Sequence, residues 1–104
     1  MAMMWTYRIT AAARPRLIMR IAQVFDQQLL EIDRLEVIRE RDVTVLRAEV
    51  HCDEYLARRI HAKLYRMPDI IHVALSNEHD EIVGEDEMPN PNPPETFDPM
   101  TPQP

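Results

Sequence analysis

Residues 4–25, MWTYRITAAARPRLIMRIAQVF, decide the fold, because the spacing of their apolar side chains changes along the stretch. The first half alternates polar residues with an apolar set: Trp5, Tyr7, Ile9 and Ala11. This period of two predicts a half-buried strand over residues 4–12. The second half has helical spacing, with the apolar set Leu17, Ile18, Ile21, Ala22, Val24 and Phe25. Pro15 suits the first turn of that helix, where a missing N–H costs nothing.

Four more elements follow this strand and helix. Residues 30–40 predict a second strand, with a bulge or bend near Asp33–Arg34 where the apolar phase slips by one residue. Val43–His51 alternates again and predicts a third strand. Asp53 is suited to cap a second helix that closes before Pro68, and residues 70–76 predict a fourth strand.

The order strand–helix–strand–strand–helix–strand (βαββαβ) predicts an α+β domain of the ferredoxin-like type. In that arrangement four antiparallel strands form one sheet, and both helices cover the same face. Two helices cannot cover every apolar strand residue, and four of these need a place: Trp5, Tyr7, Val43 and Val45. Apolar side chains left on the second face or at an edge predict a homodimer or another protein partner.

Charge and proline divide the 104-residue chain into two parts. Residues 1–75 carry 12 basic and 10 acidic side chains, whereas residues 76–104 carry 8 acidic ones and no basic one. Seven of the nine prolines lie from residue 89 onward. We therefore predict a folded domain over residues 1–84 and an acidic, proline-rich, disordered tail over residues 85–104.

Several functional classes lack their residue patterns. No apolar run is long enough to span a bilayer, and the start lacks the pattern of a secretory signal. Cys52 is the single cysteine, which suits a reducing cytoplasm and excludes a cysteine-based zinc site. No nucleophile with a base, glycine-rich loop or histidine pair stands out, so we expect neither catalytic nor metal-binding residues. The third strand has no aromatic residue, which argues against nucleic-acid binding through the sheet.

Arg14-Pro15-Arg16, in the predicted loop between the first strand and helix, is the clearest polar cluster. A helix N-terminus presents free N–H groups and the positive end of the helix dipole. Two arginines there favour an anion such as a carboxylate, or an acidic partner that compensates them. Two solvated arginines are the simpler interpretation.

The body of the chain resembles the ACT domain of acetolactate synthase small (regulatory) subunits. The resemblance rests on residues 16–37, RLIMRIAQVFDQQLLEIDRLEV, with VLRAEV at 45–50 and LYRMPDIIHVAL at 64–75. The matching positions are Arg20-Ile21 and Phe25 in the first helix, Ile32 and Leu35-Glu36-Val37 around the second strand, and Leu64, Pro68-Asp69-Ile70 and Val73 near the end.

The resemblance implies an effector site in the first strand-to-helix loop and at the start of the second strand. Carried over to this sequence, the site comprises Ala13, Arg14, Arg16, Leu17, Glu31 and Ile32. Family members that bind valine have Asn and Gly where this chain has Ala13 and Arg16, and Asn where it has Glu31. The resemblance therefore points to the short small subunits that activate their catalytic partner and respond weakly to valine.

The resemblance further implies a cytoplasmic, non-catalytic subunit in branched-chain amino acid biosynthesis. Such a subunit dimerises through its ACT sheets and docks on the catalytic large subunit of acetolactate synthase. Thiamine diphosphate, Mg²⁺ and FAD belong to that large subunit, so none is expected in this chain. Two alternatives stay open: a free-standing ACT domain that senses an amino acid at its dimer interface, and a plain dimerisation module.

Overall fold

The computed structural model describes residues 2–85. Within this range the chain forms five strands and two helices. The strands are β1 (Met3–Ala12), β2 (Arg34–Glu40), β3 (Val43–Cys52), β4 (Ile70–Ser76) and β5 (Ile82–Glu85), and the helices are α1 (Leu17–Gln27) and α2 (Glu54–Tyr65). The predicted tail begins at the last residue of β5, and its remainder lies outside the described residues.

The strands form one antiparallel sheet in the order β2-β3-β1-β4-β5. Buried residues of both helices join one core with the inward side of the sheet, so the helices share one face. The predicted α+β, ferredoxin-like fold is therefore confirmed. The sheet has five strands, however, one more than the four predicted. The second face of the sheet carries no helix within residues 2–85.

β1 is the central strand, and its alternation builds the core as predicted. Trp5 and Tyr7 both face the helices and are fully buried. The polar atom of each side chain makes a hydrogen bond inside the core. The Trp5 indole N–H donates to the backbone carbonyl of Cys52 at 2.9 Å, and the Tyr7 hydroxyl donates to that of Ala57 at 2.7 Å. Tyr7 also packs edge-to-face on Phe25, with ring centroids 5.2 Å apart. Tyr7 thus joins the sheet to α1 by packing and to α2 by a buried hydrogen bond, whereas the Trp5 hydrogen bond lies within the sheet.

The predicted second strand is wrong at its beginning. Residues 30–33 form a connector, and β2 starts only at Arg34. α1 ends in a turn where Leu29 has φ 57° and the N–H of Leu30 donates to the carbonyl of Phe25 at 3.1 Å. Leu30 and Ile32 then pack partly buried against the core. The slip in apolar phase marks this change from connector to strand, and there is no bulge within β2.

The fifth strand was not predicted, because its four residues are too short to show a period. β5 pairs with β4, and α2 also holds it. The Arg58 guanidinium donates to the carbonyl of Val83 at 2.9 Å while its Nε lies 2.7 Å from Glu54. A hydrogen bond from side chain to backbone therefore fixes β5 beside the helix layer.

The start of α2 agrees with the prediction. The Asp53 carboxylate accepts a hydrogen bond of 2.8 Å from the backbone N–H of Leu56, which satisfies one of the free donors at the helix start. α2 ends at Tyr65, three residues before Pro68. No helix within residues 2–85 combines the length and apolar character needed to cross a bilayer.

Candidate functional site

The β1–α1 loop, residues 13–16, joins the central strand to the first helix and lies between two turns. The N–H of Ala13 donates to the carbonyl of Asp42 in the β2–β3 turn at 2.8 Å. The N–H of Ala12, just before the loop, donates to the carbonyl of Asp69 in the α2–β4 turn, also at 2.8 Å. Backbone contacts with two distant segments therefore set the position of this loop.

Asp69 is the acidic partner that the arginine cluster requires. Its two carboxylate oxygens lie 3.3 Å from Nε of Arg14 and 3.4 Å from a terminal nitrogen of Arg20. Arg14 is the more exposed of the two arginines, and Asp69 is about one quarter exposed. One of the two predicted loop arginines is thus compensated within the chain. The Arg16 guanidinium, in contrast, has no hydrogen bond or ion pair to any of residues 2–85.

Arg16 also has an unusual backbone. It is the N-cap residue of α1 and lies in the left-handed region at φ 64° and ψ 12°. Its side chain makes no capping hydrogen bond, and the first turn of α1 contains no acidic residue. The start of α1 therefore combines free backbone donors with the positive end of the helix dipole. This arrangement favours an anionic group at the loop.

The other predicted loop residue, Leu17, plays a structural part. Its side chain is 3% exposed and belongs to the core, so it supports the helix start from below. Thr44 lies on β3 opposite Ala11, at the end of β1 nearest the loop. The Thr44 hydroxyl is fully buried and has no hydrogen-bond partner within residues 2–85. An unsatisfied buried hydroxyl is costly and uncommon, and nothing in the sequence pointed to it.

Glu31 and Ile32 lie at the opposite end of α1. Glu31 is exposed, whereas Ile32 is half-buried. Both line a shallow groove of about 410 Å³ between the connector and the last turns of α1. The 11 residues of α1 separate them from the β1–α1 loop, which corresponds to roughly 16 Å at 1.5 Å per residue. One protomer therefore does not bring the two parts of the predicted effector site together.

β2 is an edge strand, and all seven of its residues are exposed. It pairs with β3 along one side only. Three of its side chains are large and apolar: Leu35 at 38% exposed, Val37 at 39% and Ile38 at 57%. An unpaired strand edge with exposed apolar side chains is a template for pairing with another chain. The sequence showed these residues as a strand but could not show that the strand lies at an edge.

The buried titratable groups are suited to structure rather than to acid–base chemistry. Burial raises the pKa of the Cys52 thiol to about 11, and the nearby charge of Asp53 adds to the shift. Burial also raises the pKa of the Tyr7 hydroxyl far above its ordinary value, with a smaller contribution from Cys52. The position of Cys52 just before a helix therefore does not activate its thiol. Among residues 2–85, no His, Cys, Asp or Glu side chains form a group of three that could hold a metal ion.

Comparison with solved structures identifies the fold. The crystal structure of the ACT domain from GTP pyrophosphokinase of Chlorobium tepidum matches with a TM-score of 0.65 and 10% identity, over 72% of this chain and 99% of that one. The C-terminal domain of the MgtC protein from Mycobacterium tuberculosis matches with a TM-score of 0.60 and 16% identity, over 76% of this chain and 92% of that one. An uncharacterized protein from Thermotoga maritima matches with a TM-score of 0.64 and 10% identity, over 75% and 99%.

At these identities the likeness concerns the fold alone, and that fold is ACT-like. A scan against protein-family models found no match. A search of curated proteins found none either.

Proposed function

We propose that this chain is a non-catalytic ACT-domain subunit of acetolactate synthase that dimerises and docks on the catalytic large subunit. The ACT-like fold and the sequence resemblance over residues 16–37, 45–50 and 64–75 both support this proposal. The observation that carries it is β2, an edge strand that is exposed along its whole length and bears three apolar side chains. A subunit whose sheet ends in such a strand is built to pair with a second copy.

In the proposed dimer, pairing through β2 offers a way to bring the two parts of the predicted effector site together. In an antiparallel pair related by a twofold axis, the start of one β2 lies beside the end of the other. Glu31 and Ile32 directly precede the start of β2, whereas the end of β2 leads into Asp42, which contacts the β1–α1 loop through Ala13. Each loop therefore lies at the same end of the paired sheet as residues 31–32 of the partner subunit. Two equivalent sites form, and each needs both chains.

The composite site favours a small carboxylate with weak affinity. The start of α1 supplies unpaired N–H groups and a positive dipole for the carboxylate. Small subunits that bind valine, however, have glycine at the position of Arg16, and glycine lets a ligand approach the backbone closely. In this chain the Arg16 side chain takes up that space. We therefore expect activation of the large subunit to be the main role and valine inhibition to be weak.

Activation requires a difference in affinity. A docked subunit shifts the large subunit toward its active conformation only if it binds that conformation more tightly. In this proposal the cofactors thiamine diphosphate, Mg²⁺ and FAD stay on the large subunit, and the chain works beside it in the cytoplasm. The candidate docking residues are exposed apolar ones outside β2, such as Met19, which lines the groove between α1 and the connector, and Leu29 in the turn after α1.

The decisive experiment measures acetolactate formation by the large subunit of the same genome, with and without the full chain. We expect a several-fold increase and co-elution of the two proteins. Met19→Lys reduces the increase if α1 is the docking surface, and Tyr55→Lys, at an exposed site on α2, is the matched control. Unchanged activity together with separate elution contradicts the proposal.

The alternative is a free-standing amino-acid sensor, and the loop geometry also supports it. This alternative predicts that one amino acid raises the unfolding temperature of the isolated dimer. It further predicts no effect of the chain on any large subunit. A thermal-shift screen of amino acids, run beside the activity assay, separates the two functions.

A further inference from the structure

The open face of the sheet, opposite the helices, carries a second polar feature, which shares only Ile38 with the apolar side chains named for the dimer edge. A depression of about 340 Å³ lies over its centre. Its lining includes Arg8 from β1, Arg47 and Val45 from β3, and Ile38 from β2. None of the β1–α1 loop residues, and neither Glu31 nor Ile32, contributes to it. The volume is within the range of small-molecule sites.

Arg8 and Arg47 lie directly opposite each other in the β1–β3 ladder. Side chains so paired have Cβ atoms about 5 Å apart, and like charges at such positions destabilise the sheet. Both side chains are guanidinium groups with five donors and no acceptor, so neither can accept a hydrogen bond from the other. The free protein therefore has two like charges at directly opposed positions in the centre of this face.

The charges of β2 and β3 do not compensate Arg8. Four residues beside it form a balanced lattice in which Arg34 lies opposite Glu49, and Glu36 lies opposite Arg47. Within the strands, Arg34 contacts Glu36 at 2.6 Å and Arg47 contacts Glu49 at 3.7 Å. Arg8 is the fifth charge of this group, and its guanidinium has no hydrogen bond or ion pair within residues 2–85. The lattice therefore leaves a single positive charge without a partner.

The rest of the lining indicates what accompanies the anion. One row further along the sheet, Ile38 lies opposite Val45 and gives the depression an apolar side. On the other side, Thr6 lies opposite Ser76 and supplies hydroxyl groups. Asp80 lies at the rim and has no ion pair within residues 2–85. One positive charge without an ion pair, one apolar wall and two hydroxyls fit a small carboxylate with an aliphatic side chain.

We infer that the open sheet face binds a small aliphatic carboxylate, with its carboxylate on Arg8 and its aliphatic part on Ile38 and Val45. Ile38 belongs both to this site and to the β2 edge, but pairing through that edge extends the sheet in its plane and leaves this face open. Asp80 at the rim distinguishes two classes of ligand that share a carboxylate, namely α-amino acids and simple carboxylic acids. An α-amino acid has an ammonium group for this carboxylate, whereas a simple carboxylic acid has none.

The test uses the isolated full-length chain and three probes: isovalerate, its uncharged analogue isovaleramide, and L-leucine. Each is titrated at constant ionic strength while thermal unfolding and backbone amide NMR shifts are recorded. We expect isovalerate to raise the unfolding temperature in a saturable way and to shift the amides of Arg8, Val45 and Arg47. Isovaleramide has no such effect. A stronger response to L-leucine than to isovalerate assigns the site to amino acids, and a weaker one to simple acids.

Two variants separate binding from structure. Arg8→Gln abolishes the response to isovalerate, and without ligand it is at least as stable as the wild type because the like-charge contact is gone. Arg59→Gln, at an exposed arginine on α2, keeps the full response and is the matched control. An equal response of Arg8→Gln, an equal response to isovaleramide, or no saturable response overturns the inference. The large subunit is absent from this test, so a negative result leaves the proposal of an activating subunit unaffected.

Discussion

The carboxylate of Asp69 lies 3.3 Å from Nε of Arg14, a contact that joins the α2–β4 turn to the β1–α1 loop across 55 positions of sequence. The backbone strengthens this connection, because the carbonyl of Asp69 also accepts the N–H of Ala12 at 2.8 Å. Asp69 itself lies in the left-handed region, at φ 73°. One residue therefore controls both the charge and the position of the candidate effector loop.

Asp69→Asn separates the charge of Asp69 from its backbone conformation. Asparagine tolerates positive φ, so the turn persists while the contacts to Arg14 and Arg20 lose their charge. We expect unfolding free energy to fall by less than about 1 kcal/mol, since the pairs are partly exposed, and the loss to shrink at high salt. Asp69→Ala adds about 1 kcal/mol of backbone cost. Urea unfolding at two salt concentrations measures both, and equal losses in the two variants contradict the argument.

Arg16→Gly relieves the backbone strain at the N-cap of α1, which lies in the left-handed region. Glycine adopts φ 64° without steric cost, so we expect the folded state to gain about 1 kcal/mol. The substitution also removes the side chain from the proposed ligand position, and valine sensitivity of the activated enzyme should rise. Arg41→Gly, at φ 50° in the β2–β3 turn, is the matched control. It should stabilise the fold similarly and leave the valine response unchanged; a loss of stability in Arg16→Gly would refute the strain argument.

Val37→Lys tests the dimer edge. Val37 is the central residue of β2, so full antiparallel overlap of two such strands places it opposite the partner's Val37. Two lysines there repel each other, and we expect the variant to be monomeric in light scattering at concentrations where the wild type is dimeric. Ile71→Lys introduces the same charge at an exposed apolar site on β4 and should leave the dimer intact. If Val37→Lys remains dimeric, β2 is not the interface.

Thr44→Val replaces a buried hydroxyl that has no partner within residues 2–85 by a methyl group of similar shape. Because the hydroxyl is desolvated without a compensating hydrogen bond, we expect the variant to be more stable by about 1 kcal/mol. Thermal and urea unfolding of the two proteins measure this difference. A clear loss of stability means that the hydroxyl has a partner in solution, and an amino-acid screen of both proteins then shows whether that partner is a ligand.

The raised pKa of the Cys52 thiol predicts that the folded protein loses stability at alkaline pH. Its pKa is raised to about 11 in the fold, so above the ordinary thiol pKa the unfolded chain has lost a proton that the folded chain keeps. Unfolded molecules then bind fewer protons, and stability falls as the pH rises toward 11, by at most about 1.4 kcal/mol per pH unit for one proton. Unfolding at pH 7, 9 and 10 should show a shallower fall in Cys52→Ala, and an unchanged fall excludes Cys52 as its source.

Much of the fold could be predicted from the sequence because its signals are local. The alternation from Trp5 to Ala11 directly reflects the two faces of β1, and Asp53 caps α2 through a residue only three positions away. The errors occurred where local signals were weak or mixed. Leu30 and Ile32 are apolar because they pack on the core from a connector. Their spacing resembles that of a strand, although these residues form no strand.

The candidate site was less predictable, because its features depend on distant contacts. Arg14 was expected to need an acidic partner, yet Asp69 could not be recognised as that partner until the fold brought the two turns together. The opposition of Arg8 and Arg47 likewise depends on the register between β1 and β3. The sequence does identify the residues of the β1–α1 loop, but their separation from Glu31 and Ile32 is visible only in three dimensions.

The two edge strands of the sheet, β2 and β5, differ in a way that would limit the size of the proposed assembly. Pairing of β2 with β2 closes around a twofold axis, whereas pairing of β2 with β5 of another copy would repeat without end and grow a fibre. β5 is a poor acceptor for such growth because it has only four residues. If β2 pairs as proposed, assembly through the sheet edges is therefore expected to stop at the dimer.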